Sequence, residues 1–217
     1  MPAREPSILN SKHLNNWGLF AIIVVPMCIV AVLKTATADL ATPAGVGTMI
    51  TFSVRLAVPW LFLAFGSSSL YVVFPGTFSL WLLRNQRIMG LCFAAGMAWQ
   101  LFFILILTTV HYDYYMAEEN GIHSLVERVP GYFFIFAMTI TSFRFGRSKL
   151  SPRQWKLLHK VGIYFLWGVM FSAYWYELFY YDDIQVIDYV YFWFGFAAWG
   201  IRMLAWSNKR ALRPVAT

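Results

Sequence analysis

The sequence predicts an all-α fold, an integral membrane six-helix bundle with both termini cytoplasmic, and three observations predict it. Of the 217 residues, 59% are hydrophobic and 12% charged, which is too little polar surface to cover a water-soluble globule of this size. Six segments approach the roughly 20 apolar residues that a helix needs to cross about 30 Å of hydrocarbon. Basic residues gather beside alternate ends of these segments, the asymmetry that sets membrane orientation. A net charge of +7 would also suit a nucleic-acid binder, but the basic residues flank apolar spans instead of forming an aromatic-interleaved patch, so no nucleic-acid partner is expected.

The spans are expected at 17–34, 50–70, 88–110, 130–145, 156–178 and 186–206. They form one transmembrane domain, 17–206, between a cytoplasmic amino-terminal segment, 1–16, which includes a mobile His13, and a basic cytoplasmic tail, 207–217. The first span precedes ATADLA, whose small residues would suit signal cleavage, but its apolar stretch exceeds a usual h-region and it reads as a retained first helix. The second span holds Arg55 and Pro59. A guanidinium five residues into an apolar run must snorkel outward or find a carboxylate, and Glu177 and Asp113 are the candidates. The fourth, VPGYFFIFAMTITSF, is short, and the fifth follows a basic run and carries His159 at the join. Cys28 and Cys92 lie inside spans with no CxxC or Cys/His spacing around them and read as small core residues.

Charge sorting gives the orientation. With both termini cytoplasmic, Arg84 and Arg87, the cluster Arg144, Arg147, Lys149, Arg153, Lys156 and Lys160, and the tail Lys209, Arg210 and Arg213 all face inward. Lys34, Arg55 and Arg128 then lie toward the outside, with nine of the ten acids. The cluster at Arg147, Lys149, Arg153, Lys156 and Lys160 suits anionic lipid headgroups or a partner protein. Asp113, Glu118, Glu119, Asp182 and Asp183, among the tyrosines of HYDYYMAEENGIH and YWYELFYYDD, form either an interfacial aromatic belt with solvated acids or a docking face for a basic partner. A weak metal site from His111, Asp113, Glu118, Glu119, His123 and Asp182 is the less supported reading, since no known ligand spacing is present.

RNQRIMGLCFAAGMAWQLFFILIL at 84–107 and AMTITSFRFGRSKLSPRQWKLLHKVGIYFLW at 137–167, the latter with its W-K-L-L-H-K element, give the chain from about 51 to 178 a likeness: it resembles the ferric reductase-like transmembrane domain. Within that family it is similar to the haem-binding membrane subunits of bacterial periplasmic methionine sulfoxide reductase systems. The resemblance implies a six-helix bundle in the inner membrane that holds haem b between helices. Electrons would pass from a cytoplasmic donor or quinol to a periplasmic partner, and the protein would be the electron-transfer component of an oxidoreductase.

The resemblance carries over only in part. His159 stands where the family has its cytoplasmic-side histidine on the fifth helix, but the facing position on the third helix is Gln100, and the outer position on the fifth is Ser172. The outer position on the third helix falls near Asp113 and Tyr114. Eleven residues are about three helical turns, so Gln100 shares a face with His111, and His159 with Met170. Substitute axial pairs would be His159 with Gln100 or Met97, and His111 with Met170; a Met/His pair is acceptable to haem iron whereas glutamine is a poor ligand. The other account of His159 is an interfacial histidine that bonds a backbone carbonyl or a lipid phosphate beside Lys156 and Lys160.

Two readings follow, since function is argued from the site and not from the bundle. In one, the protein has lost standard bis-histidine ligation and serves as an accessory or scaffold subunit of a membrane complex, beside other membrane or periplasmic subunits. In the other, it transfers electrons through haem b. A small transporter is disfavoured, because intramembrane charges and paired broken helices are nearly absent. No glycine-rich strand-to-helix turn encodes a flavin or nicotinamide site.

Overall fold

The computed structural model describes residues 8–119, 122–180, 182 and 184–211, with the side chains at 119, 122–127 and 209–211 outside that description. The described residues are helical and contain no strand. Six helices of 20 residues or more carry the architecture: α1 (Asn16–Thr37), α2 (Pro43–Val73), α4 (Gln86–Val110), α6 (Ile122–Thr141), α8 (Pro152–Tyr180) and α9 (Val186–Ala211). Short pieces join them: α3 (Thr77–Arg84), α5 (Tyr112–Tyr114) and α7 (Arg144–Arg147). Among the described residues, α1, α2 and α4 are long and apolar enough to cross a membrane. Their lengths of 22, 31 and 25 residues exceed the requirement.

Local chemistry sets the ends of these helices. Pro43 opens α2 at the position where a missing N–H costs nothing, and the Thr42 hydroxyl accepts from the Gly45 amide at 3.2 Å. At the start of α8, the Ser151 hydroxyl accepts from the Gln154 amide at 3.3 Å while the Gln154 side chain accepts from the Ser151 amide at 2.9 Å. That reciprocal capping box satisfies two helix-end donors. At α9 Asp188 supplies one half of such a box, taking the Gln185 amide at 3.1 Å and placing a negative charge on the positive end of the helix.

The fourth expected span is displaced. Its helix begins at Ile122, well before Pro130, and stops at Thr141. Proline removes one hydrogen bond to the preceding turn, but helix forms on both sides of it, and the Phe143–Leu150 stretch turns through α7 instead of extending the span. The amino-terminal segment is also docked. Residues Ile8–Asn10 and Lys12–Leu14 form short 3-10 turns; the Trp81 indole donates to the Leu14 carbonyl at 2.7 Å, and Asn85, fully buried, bonds Asn15 and Asn16 at 3.0 Å each. His13 therefore belongs to a packed segment.

At the centre stands α2, which packs most extensively on α4 and α9 and also meets α1, α3 and α8; α6 leans on α8. A Cβ added to Gly96 of α4 would lie 2.6 Å from that of Ala57 in α2, so the two backbones approach as closely as a missing side chain allows, the small-residue packing on which helices in lipid depend. The main core joins Ala57, Phe62, Phe65, Phe93, Met97, Leu166 and Met170. Beside it, Phe65, Trp167 and Phe171 stack in sequence with ring centroids 5.3 and 5.2 Å apart. Apolar side chains also cover the outside, among them Val25, Ile29 and Leu33 on α1, Phe133, Phe136 and Ile140 on α6, and Val190 and Trp193 on α9. An exposed apolar surface on this scale marks contact with lipid or protein.

Candidate functional site

The two ends of the bundle differ in charge. One end gathers the start of α1, the end of α2, α3, the start of α4, α7 and the start of α8, and among the described residues it carries basic side chains and no acid. The other end holds Asp39, Asp113, Glu118, Glu177, Asp182 and Asp188.

At the basic end a cavity of about 440 Å³ opens between α2, α4, α6 and α8. Its deeper wall is apolar, with Leu61, Phe93, Ile135, Met138, Ile163 and Leu166; its outer wall holds Gln86, Arg87, Thr141, Ser142, Arg147, Trp155 and His159. His159 lies on α8 one turn above Trp155, whose ring sits 4.3 Å from its own. The Thr141 hydroxyl donates to the Ala137 carbonyl at 2.6 Å, which leaves its oxygen to accept Nε2–H of His159 at 3.0 Å. The Trp155 indole donates to the Thr141 carbonyl at 3.1 Å, tying α8 to the end of α6, and the Arg147 guanidinium covers Trp155 at 4.2 Å. Arg147, Trp155 and His159 thus form one stack along the cavity wall. Next to it, a second cavity of about 300 Å³ shares Leu91, Ala94, Ile135 and Thr139 with the first and is otherwise lined by Trp17, Phe143 and further apolar residues.

The other sequence-predicted ligands do not join His159. Gln100 accepts a hydrogen bond from the Tyr132 hydroxyl at 2.8 Å. Met97 and Met170 are buried in the main core, where Met97 borders the second cavity. His111 leaves the face it was expected to share with Gln100, because α4 ends at Val110 and His111 takes a non-helical φ of −114° and ψ of 42°. Its Nε2 instead meets the Leu40 carbonyl at 3.0 Å. A six-coordinate haem of the kind the resemblance implies needs two donors, such as imidazole or thioether, that face each other across a slot. Here His159 Nε2 and Gln100 are each hydrogen-bonded within the protein, and none of the expected partners Gln100, Met97, His111 and Met170 lines the cavity beside His159, so the expected axial pairs are not assembled.

Lys149, Arg153, Lys156 and Lys160 are exposed around α7 and the start of α8, as Asp113, Glu118 and Asp182 are at the acidic end. Asp183, Arg213 and the side chains of Glu119 and His123 lie outside the described residues. No group of three or more His, Cys, Asp or Glu that could hold a metal ion occurs among the described residues. Cys92 is buried and Cys28 half-buried, and both are free.

Two polar clusters were missed. Arg55 was expected to find Glu177 or Asp113; its partner is Asp188, with oxygens at 2.9 and 3.1 Å, and Gln185 accepts from the same guanidinium at 2.7 Å. The cause is α9, whose first turn brings its N-terminal acid alongside α2. Arg202 of α9 was not singled out, although an arginine inside an apolar span was signal enough. It donates to the Phe65 carbonyl at 2.7 Å and to the Tyr164 hydroxyl at 3.1 Å, and lies over both rings at 4.3 and 4.5 Å.

The fold and site together define an all-helical chain with helices able to cross a membrane and a cavity at its basic end. No family model, curated protein or solved structure gives a significant match to it.

Proposed function

We propose that the protein is a ferric reductase-like membrane subunit whose six long helices cross the inner membrane, with both termini on the cytoplasmic side. It works as an accessory or scaffold subunit of a membrane complex and carries no haem. One observation supports this reading above the others: the side chains at the expected ligand positions are hydrogen-bonded inside the protein, His159 to Thr141, Gln100 to Tyr132 and His111 to the Leu40 carbonyl. They act as struts between α6 and α8, α4 and α6, and α4 and the α1–α2 connection. The orientation follows from the basic end, since lysine and arginine are retained on the cytoplasmic side.

The test is a reduced-minus-oxidised optical spectrum with a pyridine haemochrome assay on protein purified in mild detergent. The expected result is a preparation with no haem b bands. One or two haems per chain would overturn the accessory reading in favour of transmembrane electron transfer to a periplasmic partner.

A further inference from the structure

The basic-end cavity holds two cations with no counter-charge. Arg87 lies over the Trp17 and Phe143 rings at 5.8 and 5.5 Å, and Arg147 over Trp155 at 4.2 Å. Among the described residues neither guanidinium has an ion pair or a hydrogen bond. A guanidinium held against aromatic rings without a hydrogen-bond partner keeps N–H groups that can bind phosphate oxygens in a fork. Arg202 makes the contrast: it too is stacked on rings, but its N–H groups are used on Phe65 and Tyr164.

Arg87 also links the two cavities. It lines the larger one, while the rings it covers, Trp17 and Phe143, line the smaller. The cavities flank the same gap between α4 and α6 and share apolar walls. Gly90 borders this space, and a Cβ built on it meets nothing within 4 Å. The site thus has one cationic mouth and two adjoining apolar chambers, the shape and polarity of a two-chain phosphate amphiphile.

We propose that this paired cavity is a binding site for an anionic diacyl phospholipid, its phosphate held between Arg87 and Arg147 and one acyl chain in each chamber. Lys156 and Lys160, which do not line the cavity, contribute only to the surface field. The inference rests on the membrane placement proposed above and is independent of haem content.

The test is native mass spectrometry of the delipidated, detergent-purified chain titrated with dioleoyl phosphatidylglycerol, dioleoyl glycerol or inorganic phosphate. Retention of phosphatidylglycerol about tenfold or more above the other two is expected, since charge-assisted hydrogen bonds and chain burial must act together. The double variant Arg87→Gln/Arg147→Gln should lose that preference. Gly90→Leu should lose it as well, by filling the chamber without touching a charge and while favouring the helix. A variant with Lys156 and Lys160 changed to Gln should keep it. Equal retention of dioleoyl glycerol, binding of phosphate alone as tight as the lipid, or loss that follows the lysines and not the arginines or Gly90 would each overturn the proposal. Release of the chain from membranes by carbonate washing would instead defeat the membrane reading itself.

Discussion

Arg55 of α2 and Asp188 of α9 form a salt bridge of 2.9 Å in which the carboxylate side chain is 1% exposed and the guanidinium 23%. Asp188 also receives the Gln185 amide, and Gln185 takes a second Arg55 N–H, so one carboxylate caps a helix and neutralises a cation within an apolar helix together. A buried pair of this kind gives modest net stability when intact, but losing one member strands the other charge. Arg55→Gln or Asp188→Asn should each lower unfolding stability by about 3 kcal/mol, read by thermal unfolding in detergent. Replacing both by apolar residues of similar volume should cost less than either single change; a larger loss would mean that the pair is not acting as a unit.

Pro59 has no N–H to offer the carbonyl of Arg55, four residues earlier in α2, and the Tyr191 hydroxyl donates to that carbonyl at 2.9 Å. Tyr191→Phe should cost about 1 kcal/mol. In a Pro59→Ala background, where the helix can satisfy its own carbonyl, the same change should cost clearly less. A double-mutant cycle measures the difference directly, and equal costs in both backgrounds would disprove the coupling.

Asn85, 1% exposed, bonds the Asn16 amide, the Asn15 side chain and the Trp81 carbonyl, each at 3.0 Å. Asn85→Ala leaves these groups without their partner and should destabilise by about 2 kcal/mol. It should also release the segment before α1. Limited proteolysis reads this: cleavage at residues 8–15 should accelerate before the rest of the chain is cut.

Gly96 faces Ala57 at a separation that admits no Cβ without movement. Gly96→Leu should push α2 and α4 apart, at a cost of about 1–3 kcal/mol or more, whereas Gly90→Leu, with open space beside it, should leave unfolding unchanged or slightly raised. Comparing the two melting temperatures separates packing from helix propensity, and similar losses for both would contradict the assigned contact.

Much of the helical pattern was legible in the sequence. An apolar run of membrane length leaves the backbone one economical way to satisfy its polar groups, so α1 and α4 start and stop close to the expected residues. The limits of α6 were less legible, because Pro130 reads as a breaker in isolation while helix forms on both sides of it. Composition likewise exposed the basic run before His159, but not that Thr141 and Trp155 would hold the ring.

By itself, then, the sequence determined the helical class, the presence of helices long and apolar enough to cross a membrane and the segregation of charge between the ends of the bundle, because each depends on residue type and spacing along one chain. Only the tertiary structure decided which charges meet. Arg55 reaches Asp188 across 133 residues because α9 returns alongside α2, and Arg87 and Arg147 share a cavity because the start of α4 and the end of α7 line the same space. A single helix fixes the direction of a side chain, but the identity of its partner depends on how the helices pack.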